Sequence, residues 1–179
     1  MNALPPKLRE LADALEETRR ATFAIAARFS EAEFARRPAG EWSAGDILEH
    51  MILAETGTSK LIRKMLREKA ATLPPYPADD SGIAVREFPL PKGPVRGPES
   101  VQPRGAPRAK AEVLAALAAC RAATLESLAM LAGADPRAAE FPHPVLGPLN
   151  LYEWPALTIG SHEREHQAQL AALLRAAGK

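Results

Sequence analysis

Apolar residues recur at helical spacing in four stretches of the chain, and proline-rich segments separate them. The first stripe, Leu8, Leu11, Leu15, Thr18, Thr22, Ile25 and Phe29, predicts a helix from about Pro6 to Phe29. Its two threonines make the middle of the stripe less apolar than its ends. Ser30 and Glu31 open a short turn of helix that stops at Arg36-Arg37-Pro38-Ala39-Gly40. Ser43, with Asp46 three residues on, is a near capping box and starts a second long helix. That helix runs through Ile47, Met51, Ala54, Thr58, Leu61 and Met65 to about Lys69. Val113, Leu114, Leu117, Cys120, Leu125, Leu128 and Leu131 predict a third, from about Ala109 to Leu131, ending before Gly133. The fourth starts near Leu151 to Glu153 and continues through Ile159, His162, His166, Gln169, Leu170, Leu173 and Leu174 to about Ala177. Between the last two, Phe141 to Asn150 is too rich in proline and glycine to be helical.

The composition changes between Ala71 and Arg108, where nine prolines stand. Each internal proline costs a helix about 3 kcal/mol, so no regular helix survives there. Loops of such length inside a compact domain tend to be functional or to strap elements together. Neither flank carries enough helix to close a core alone, so residues 71–108 read as a strap and not as a domain boundary. The fold class expected is all-α: one domain over residues 1–179, a four-helix bundle with a long proline-rich crossover between the second and third long helices.

Composition adds limits. At 179 residues the chain can bury a real core without a disulfide or metal staple. Alanine, leucine and arginine dominate and β-branched residues are few, which favours helix. The formal net charge of +1 gives no global bias toward nucleic acid or an anionic membrane. The single cysteine, Cys120, excludes an intramolecular disulfide, and a cytoplasmic setting is the natural expectation. The first residues lack the basic-then-apolar pattern of a secretory signal. No apolar run approaches the roughly 20 residues of a membrane span.

Candidate chemistry concentrates in the histidines, of which there are four. His162 and His166 lie at i and i+4, on one helical face, and share the stripe of Ile159, Leu170 and Leu173. Buried imidazoles need partners, and two aimed at one point suit a divalent metal, whose usual side-chain ligand is neutral imidazole. His50, beside Ile47, Met51 and Ala54 on the second long helix, is the natural third ligand. Packed helices about 8–10 Å apart can bring three imidazoles to about 2.0–2.1 Å from one ion. Three protein ligands leave a coordination position open, which suits catalysis better than structure. His143, between two prolines, reads as a turn residue near the mouth of the site and is left out of the ligand set.

The run His162-Glu163-Arg164-Glu165-His166 also spells H-E-x-x-H, the metalloprotease motif in which Glu163 would be the general base. The context opposes that reading. The longer metzincin pattern needs glycine at 169 and histidine at 172, where Gln169 and Ala172 stand. No acidic residue follows His166, so no downstream carboxylate ligand exists either. Glu163 and Glu165 then read as solvent-facing charges.

Two blocks carry a resemblance. Arg37-Pro38-Ala39-Gly40-Glu41-Trp42-Ser43-Ala44-Gly45-Asp46-Ile47-Leu48-Glu49-His50 has a proline, then tryptophan-serine opening a helix, then a histidine seven residues after the serine. His143 through Leu149 and Tyr152-Glu153-Trp154, leading to His162 and His166, form the second. In these features the chain resembles the DinB-like superfamily of four-helix-bundle metalloenzymes. The resemblance implies His50, His162 and His166 as a metal triad, a left-handed bundle of unusual connectivity, and frequent homodimers. Characterised relatives include S-transferases that use low-molecular-weight thiols such as bacillithiol or mycothiol, and a mycothiol-dependent isomerase. It gives no reason to expect DNA binding.

The expectation is therefore a metal-dependent thiol S-transferase-like enzyme or hydrolase. Its metal would be zinc or nickel, and it would take a small-molecule substrate and a thiol cosubstrate, with no nucleic-acid or membrane partner. The alternative is a non-catalytic bundle acting as a binding or dimerisation module. Cys120, among alanines and leucines, reads as a core residue. Arg86, Lys92, Arg96, Arg104 and Arg108 make the strap basic enough to steer an anionic ligand. Glu55 and Asn150 are candidates to support the ligating histidines, and Trp42 and Trp154 to anchor packing.

Overall fold

The computed structural model describes residues 4–38, 40–88, 97–105 and 108–179. Its elements in order are α1 (Pro6–Ala27), α2 (Glu31–Ala35), α3 (Ala44–Glu68), a 3₁₀ turn (Glu99–Val101), α4 (Lys110–Leu131), β1 (Glu140–His143), β2 (Gly147–Asn150), α5 (Glu153–Pro155), a π-helical stretch (Ala156–Ser161) and α6 (His162–Ala176). The last three run on as one long helix, because Ala156, Ser161 and His162 all keep helical dihedrals. With α1, α3 and α4 it makes the four long helices of a bundle, α1 and α3 each packing against both α4 and α6.

Local chemistry explains where the helices start. Ser30 and Ser43 each form a full capping box, with Glu33 and Asp46 respectively. The start of the last helix uses the same device: Asn150 Oδ1 accepts from Tyr152 N at 3.0 Å and Glu153 N at 2.9 Å, and Glu153 Oε2 accepts from Asn150 N at 2.9 Å. α1 begins with Pro6 and has no side-chain cap of its own. Asp80, from the segment after α3, accepts from Lys7 N at 2.9 Å and supplies the negative charge a helix N-terminus favours.

The proline-rich region is built into the bundle where it is described. Ile83 is fully buried in the core, and Leu73 and Tyr76 pack against the same cluster. Arg86 grips the buried carboxylate of Glu153, with Nη2–Oε2 at 2.6 Å. The middle of the expected crossover, residues 89–96, lies outside the described residues. α3 and α4, the helices it joins, pack directly on one another.

One element departs from the all-α expectation. Residues 140–150 form a two-stranded antiparallel hairpin with Phe141 opposite Leu149 and His143 opposite Gly147. Pro142 faces Pro148 in this register. Alternate pairs of an antiparallel ladder exchange no N–H···O bonds, so a proline pair is tolerated there. Gly147, at φ 78°, takes the left-handed position that closes a three-residue hairpin loop.

The core has two apolar halves. Leu8, Leu11, Leu15, Ile62, Leu128, Leu131 and Ile159 belong to one, and Ala26, Leu48, Met51, Val113, Leu117, Leu170 and Leu174 to the other. Between them lies a buried polar band: Thr18, Arg19 and Thr22 on α1, Glu55, Thr58 and Ser59 on α3, Arg121, Thr124 and Ser127 on α4, and Glu163 and His166 on α6. α4 is long and apolar enough to cross a membrane by length and composition alone, but its inward face carries this charged and hydroxyl-bearing band.

Asp46 fixes the entry to α3. Its carboxylate accepts from Ser43 N at 2.9 Å and takes a bidentate pair from Arg37, both bonds at 2.7 Å. Burial alone would raise its pKa, but Arg37 and Ser43 outweigh burial and hold it below the ordinary 3.8. A lowered carboxylate pKa adds stability above its ordinary value that is lost as pH falls through the folded one. Asp46→Asn should therefore destabilise the protein by about 1–2 kcal/mol in urea unfolding at pH 7. The difference from wild type should shrink below about pH 4, near the ordinary carboxylate value; a pH-independent difference would contradict this.

Candidate metal centre

Three of the four histidines converge. His50 sits on the second turn of α3, placed by the Ser43–Asp46 cap. His162 and His166 occupy successive turns at the start of α6. His50 Nε2 lies 3.1 Å from His162 Nε2, and His166 Nε2 lies 2.9 Å from the same atom. All three ligand atoms fall within 4.8 Å of one another. His50 and His166 are buried and His162 is half-buried.

Two of the three far nitrogens are held as well. Val101 O, on the strap, lies 2.7 Å from His50 Nδ1, and Gln169 Oε1 lies 2.9 Å from His166 Nδ1. A carbonyl oxygen can only accept, so His50 carries its proton on Nδ1 and turns a lone pair inward from Nε2. Gln169 Oε1 imposes the same tautomer on His166. The strap approaches His50 closely: a Cβ on Gly97 would stand 3.6 Å from His50 Cε1. Trp42 covers another side of the ring, centroids 4.9 Å apart.

Burial lowers the pKa of all three imidazoles. It pushes His162 to about 3, aided by repulsion from His166 and His50. It pushes His166 to about 4, against the opposing hydrogen bond of Gln169. His50 is lowered by burial and partly restored by Val101. The cluster is neutral at physiological pH, the state in which imidazole ligates metal.

The π-helical stretch ends at Ser161, directly before the first of the paired histidines. Such widened turns interrupt the regular helical phase and occur often at functional sites. Just past it His162 and Glu163 both face inward, while Arg164 and Glu165 are exposed. Gly160 permits this stretch to lie close to α1, since a Cβ there would meet Leu15 Cδ2 at 3.3 Å.

The structure corrects the reading of Glu163 as a solvent-facing charge. It is 2% exposed and belongs to a four-charge network with one member from each long helix. Arg19 Nε donates to Glu163 Oε1 at 2.8 Å, and Arg19 Nη2 to Glu55 Oε2 at 2.5 Å. Arg121 Nε donates to Glu55 Oε1 at 2.7 Å, and Arg121 Nη2 to Glu163 Oε2 at 2.6 Å. Each arginine thus bridges both carboxylates. Thr22 and Thr124 add hydroxyl donors at 2.6 and 2.9 Å, and the arginines also reach the carbonyls of Leu117 and Leu15. Burial alone would weaken the charge on Arg19, but Glu163 and Glu55 more than offset it and raise its pKa. The same contest at Glu55 ends with its pKa lowered by Arg19 and Arg121.

Sequence periodicity held this signal. Arg19, Glu55, Arg121 and Glu163 each stand four residues after a buried apolar residue, namely Leu15, Met51, Leu117 and Ile159. A helical stripe continues at i+4, so all four charges lie on core-facing stripes.

The remaining candidates separate from the triad. His143 packs on Trp154, centroids 5.1 Å apart, and its Nδ1 accepts from the backbone of Val145 and Leu146. Asn150 is a helix cap, and Glu55 supports the charge network. Cys120 is buried, and burial together with the nearby Glu55 carboxylate pushes its thiol up to about 11. Of the strap cations, Arg86, Arg104 and Arg108 pair with Glu153, Glu99 and Glu49. Lys92 and Arg96 lie outside the described residues.

Residues 14–170 of the chain match the DinB superfamily. The crystal structure of TT2238, a four-helix bundle protein, superposes with a TM-score of 0.62 at 27% identity, over 91% of this chain and 96% of that one. No curated protein matches the chain.

The buried network separates a structural Glu163 from a catalytic base. Removing one partner of a buried pair strands the others, so Glu163→Ala should cost about 3–5 kcal/mol in chemical unfolding of the metal-free protein. Glu165→Ala, at an exposed position of the same helix, should stay within about 0.5 kcal/mol of wild type. Equal, small effects of the two substitutions would contradict the network.

Proposed function

The chain belongs to the DinB superfamily, and from that membership and the convergence of its histidines we propose that it is a divalent-metal-dependent enzyme with His50, His162 and His166 as ligands. The observation that carries this is the surplus of lone pairs. His50 and His166 both spend their N–H outward, so their Nε2 atoms face His162 Nε2 as acceptors, and His162 has at most one proton to offer there. A cation shared by the three nitrogens satisfies all of them, and an all-imidazole donor set suits zinc or nickel. With no fourth protein ligand among the described residues, a position is left for a reactant.

A divalent ion so held lowers the pKa of a thiol or water bound to it, which supplies a nucleophile near neutral pH. The protein would contribute a buried, neutral, pre-aimed ligand set and a place for the reactant beside it. A cleft of about 530 Å³ lies between the N-terminal half of α3 and the strap, lined by Glu49, Ile52, Leu53, Ser100, Gln102, Arg104 and Arg108. Its size falls in the range of small-molecule sites. Ile52 and Leu53 give it an apolar wall, and Arg104 and Arg108, each already paired with a glutamate, line the rest beside Glu49, so it suits a small, partly apolar molecule. We take the reaction to be thiol S-transfer or hydrolysis, with a low-molecular-weight thiol as cosubstrate, as the resemblance to thiol-dependent relatives implies. The same resemblance suggests a homodimer, and the lone buried cysteine a cytoplasmic location.

Two measurements test the proposal. Protein purified without a metal-affinity tag should carry close to one zinc or nickel per chain by elemental analysis, and His50→Ala or His166→Ala should lose it. Incubation with monochlorobimane and a low-molecular-weight thiol should then give turnover that chelator abolishes and metal restores. Stoichiometric metal in the histidine variants would refute the triad. Turnover equal in wild type and a histidine-free variant would leave the bundle as a binding or dimerisation module.

A further inference from the structure

Two of the three converging imidazoles have their outer nitrogen held by a protein carbonyl. For the third, His162, no protein atom among the described residues pairs with Nδ1; both of its hydrogen-bond partners there meet Nε2. Ligating histidines ordinarily donate this second N–H to an acceptor, which fixes tautomer and ring orientation. A small cavity lies against the same side chain. It is lined by His162, Arg19, Glu55, Glu163 and Thr158, with Met51 and Ile159 closing it, and has about 10 Å³ open to the centre of a water-sized sphere. That is the lower limit for one water; most of the exposed wall is apolar, and His162, Glu55 and Glu163 are the side chains that bring it the roughly two to four hydrogen-bond partners a buried water requires.

On each carboxylate one existing contact is long enough for a water to replace. Glu55 Oε2 takes one short bond from Arg19, its contact to Arg121 being long at 3.4 Å. Glu163 Oε2 likewise takes one short bond from Arg121, its second contact, to Arg19, being 3.3 Å. A water hydrogen would take the place of the long contact at each of these oxygens.

Resting on the metal-centre reading above, we infer that one buried water fills this cavity, accepts the Nδ1 proton of His162, and donates its own two hydrogens to Glu55 and Glu163. Glu55 is then a positioning residue for the centre: it acts through the water on His162, and through Arg19 and Arg121 it ties that ligand to all four long helices. His162 is thereby locked with its Nε2 lone pair toward His50 and His166. The charged layer is in this way the outer support of the third ligand as well as part of the bundle core.

The test uses the full chain, with Co²⁺ as probe and two substitutions in the buried polar band, one at the cavity and one away from it. Glu55→Gln keeps the size of the side chain but weakens it as an acceptor. Ser127→Ala removes the 2.9 Å acceptor of Arg63 Nε, in the same buried polar band but bonded to neither carboxylate and away from the cavity. Glu55→Gln should raise the Co²⁺ dissociation constant by about 10- to 100-fold and shift the d–d absorption bands. Ser127→Ala should lower the thermal midpoint of the metal-free protein and leave affinity and spectrum unchanged. Unaltered affinity and spectrum in Glu55→Gln, or equal changes in both variants, would overturn the positioning role.

If Glu55→Gln does not fold, the decision passes to a high-resolution crystal structure of the metal-free wild-type protein. One water within hydrogen-bonding distance of His162 Nδ1 and Glu55 supports the inference; a dry cavity, or a side chain bonded directly to that nitrogen, overturns it. Failure of wild type to bind Co²⁺ at all would refute the metal-centre reading, and the crystallographic test would still decide the water.

Discussion

Charge buried without compensation is among the most expensive things a protein core can hold, and this bundle places four ionised side chains at its middle. The cost is offset only if every donor and acceptor is met at once. Arg19, Glu55, Arg121 and Glu163 meet this condition by forming a closed ring in which each cation bridges both anions. Because the members come from four different helices, the ring closes in one alignment of those helices. A slip of any helix by one residue would turn its charge out of the ring and leave the other three short of a partner. The apolar halves on either side supply burial, and burial tolerates small shifts. The charged layer does not, so it sets the register.

That register is what brings the histidines together. His166 on α6 and His50 on α3 stand on the same side of the layer as Met51, Leu117 and Leu170, the apolar half nearer the cap of α3. His162 stands at the layer itself, adjacent in the chain to Glu163. The site is therefore built where fixed charge meets apolar packing. Low-dielectric surroundings keep the imidazoles neutral, and the rigid ring keeps them aimed. The strap completes the arrangement from outside, since the carbonyl of Val101 decides which nitrogen of His50 turns inward. Pro98 and Pro103 bracket the short 3₁₀ turn that presents this carbonyl and keep it from extending into a longer helix.

Much of this architecture is legible in the sequence. Helix positions follow from period and caps because Ser30, Ser43 and the apolar stripes are local signals that tertiary packing reinforces. The triad is legible because histidine is rare here and the i, i+4 spacing is geometric. The charged layer escapes sequence reasoning because single charges on a helix are most often solvated. Its members sit 36 to 144 residues apart in the chain, so no local window shows that they meet. Only their common i+4 relation to core leucines, methionine and isoleucine hints at burial. The hairpin escapes because proline and glycine argue against helix without arguing for a strand, and the register that pairs Pro142 with Pro148 is a tertiary fact. Asn150 draws attention as a histidine support, yet its spacing to Glu153 is that of a cap, the same local signal that marks Ser43.

The H-E-x-x-H spelling now has a physical explanation that owes nothing to proteolysis. Its histidines point toward α3 and its first glutamate points into the charge ring, where two arginines and a threonine occupy its oxygens. A carboxylate so engaged cannot serve as a general base on a water at the metal. Central to the proposed function is an ion held by three imidazoles from two helices. X-ray absorption at the metal edge of the purified protein tests this most directly. It should show a shell dominated by histidine nitrogens at about 2.0–2.1 Å, with multiple-scattering features of three imidazoles. A sulfur shell, a shell of oxygens alone, or no metal in the protein would contradict it.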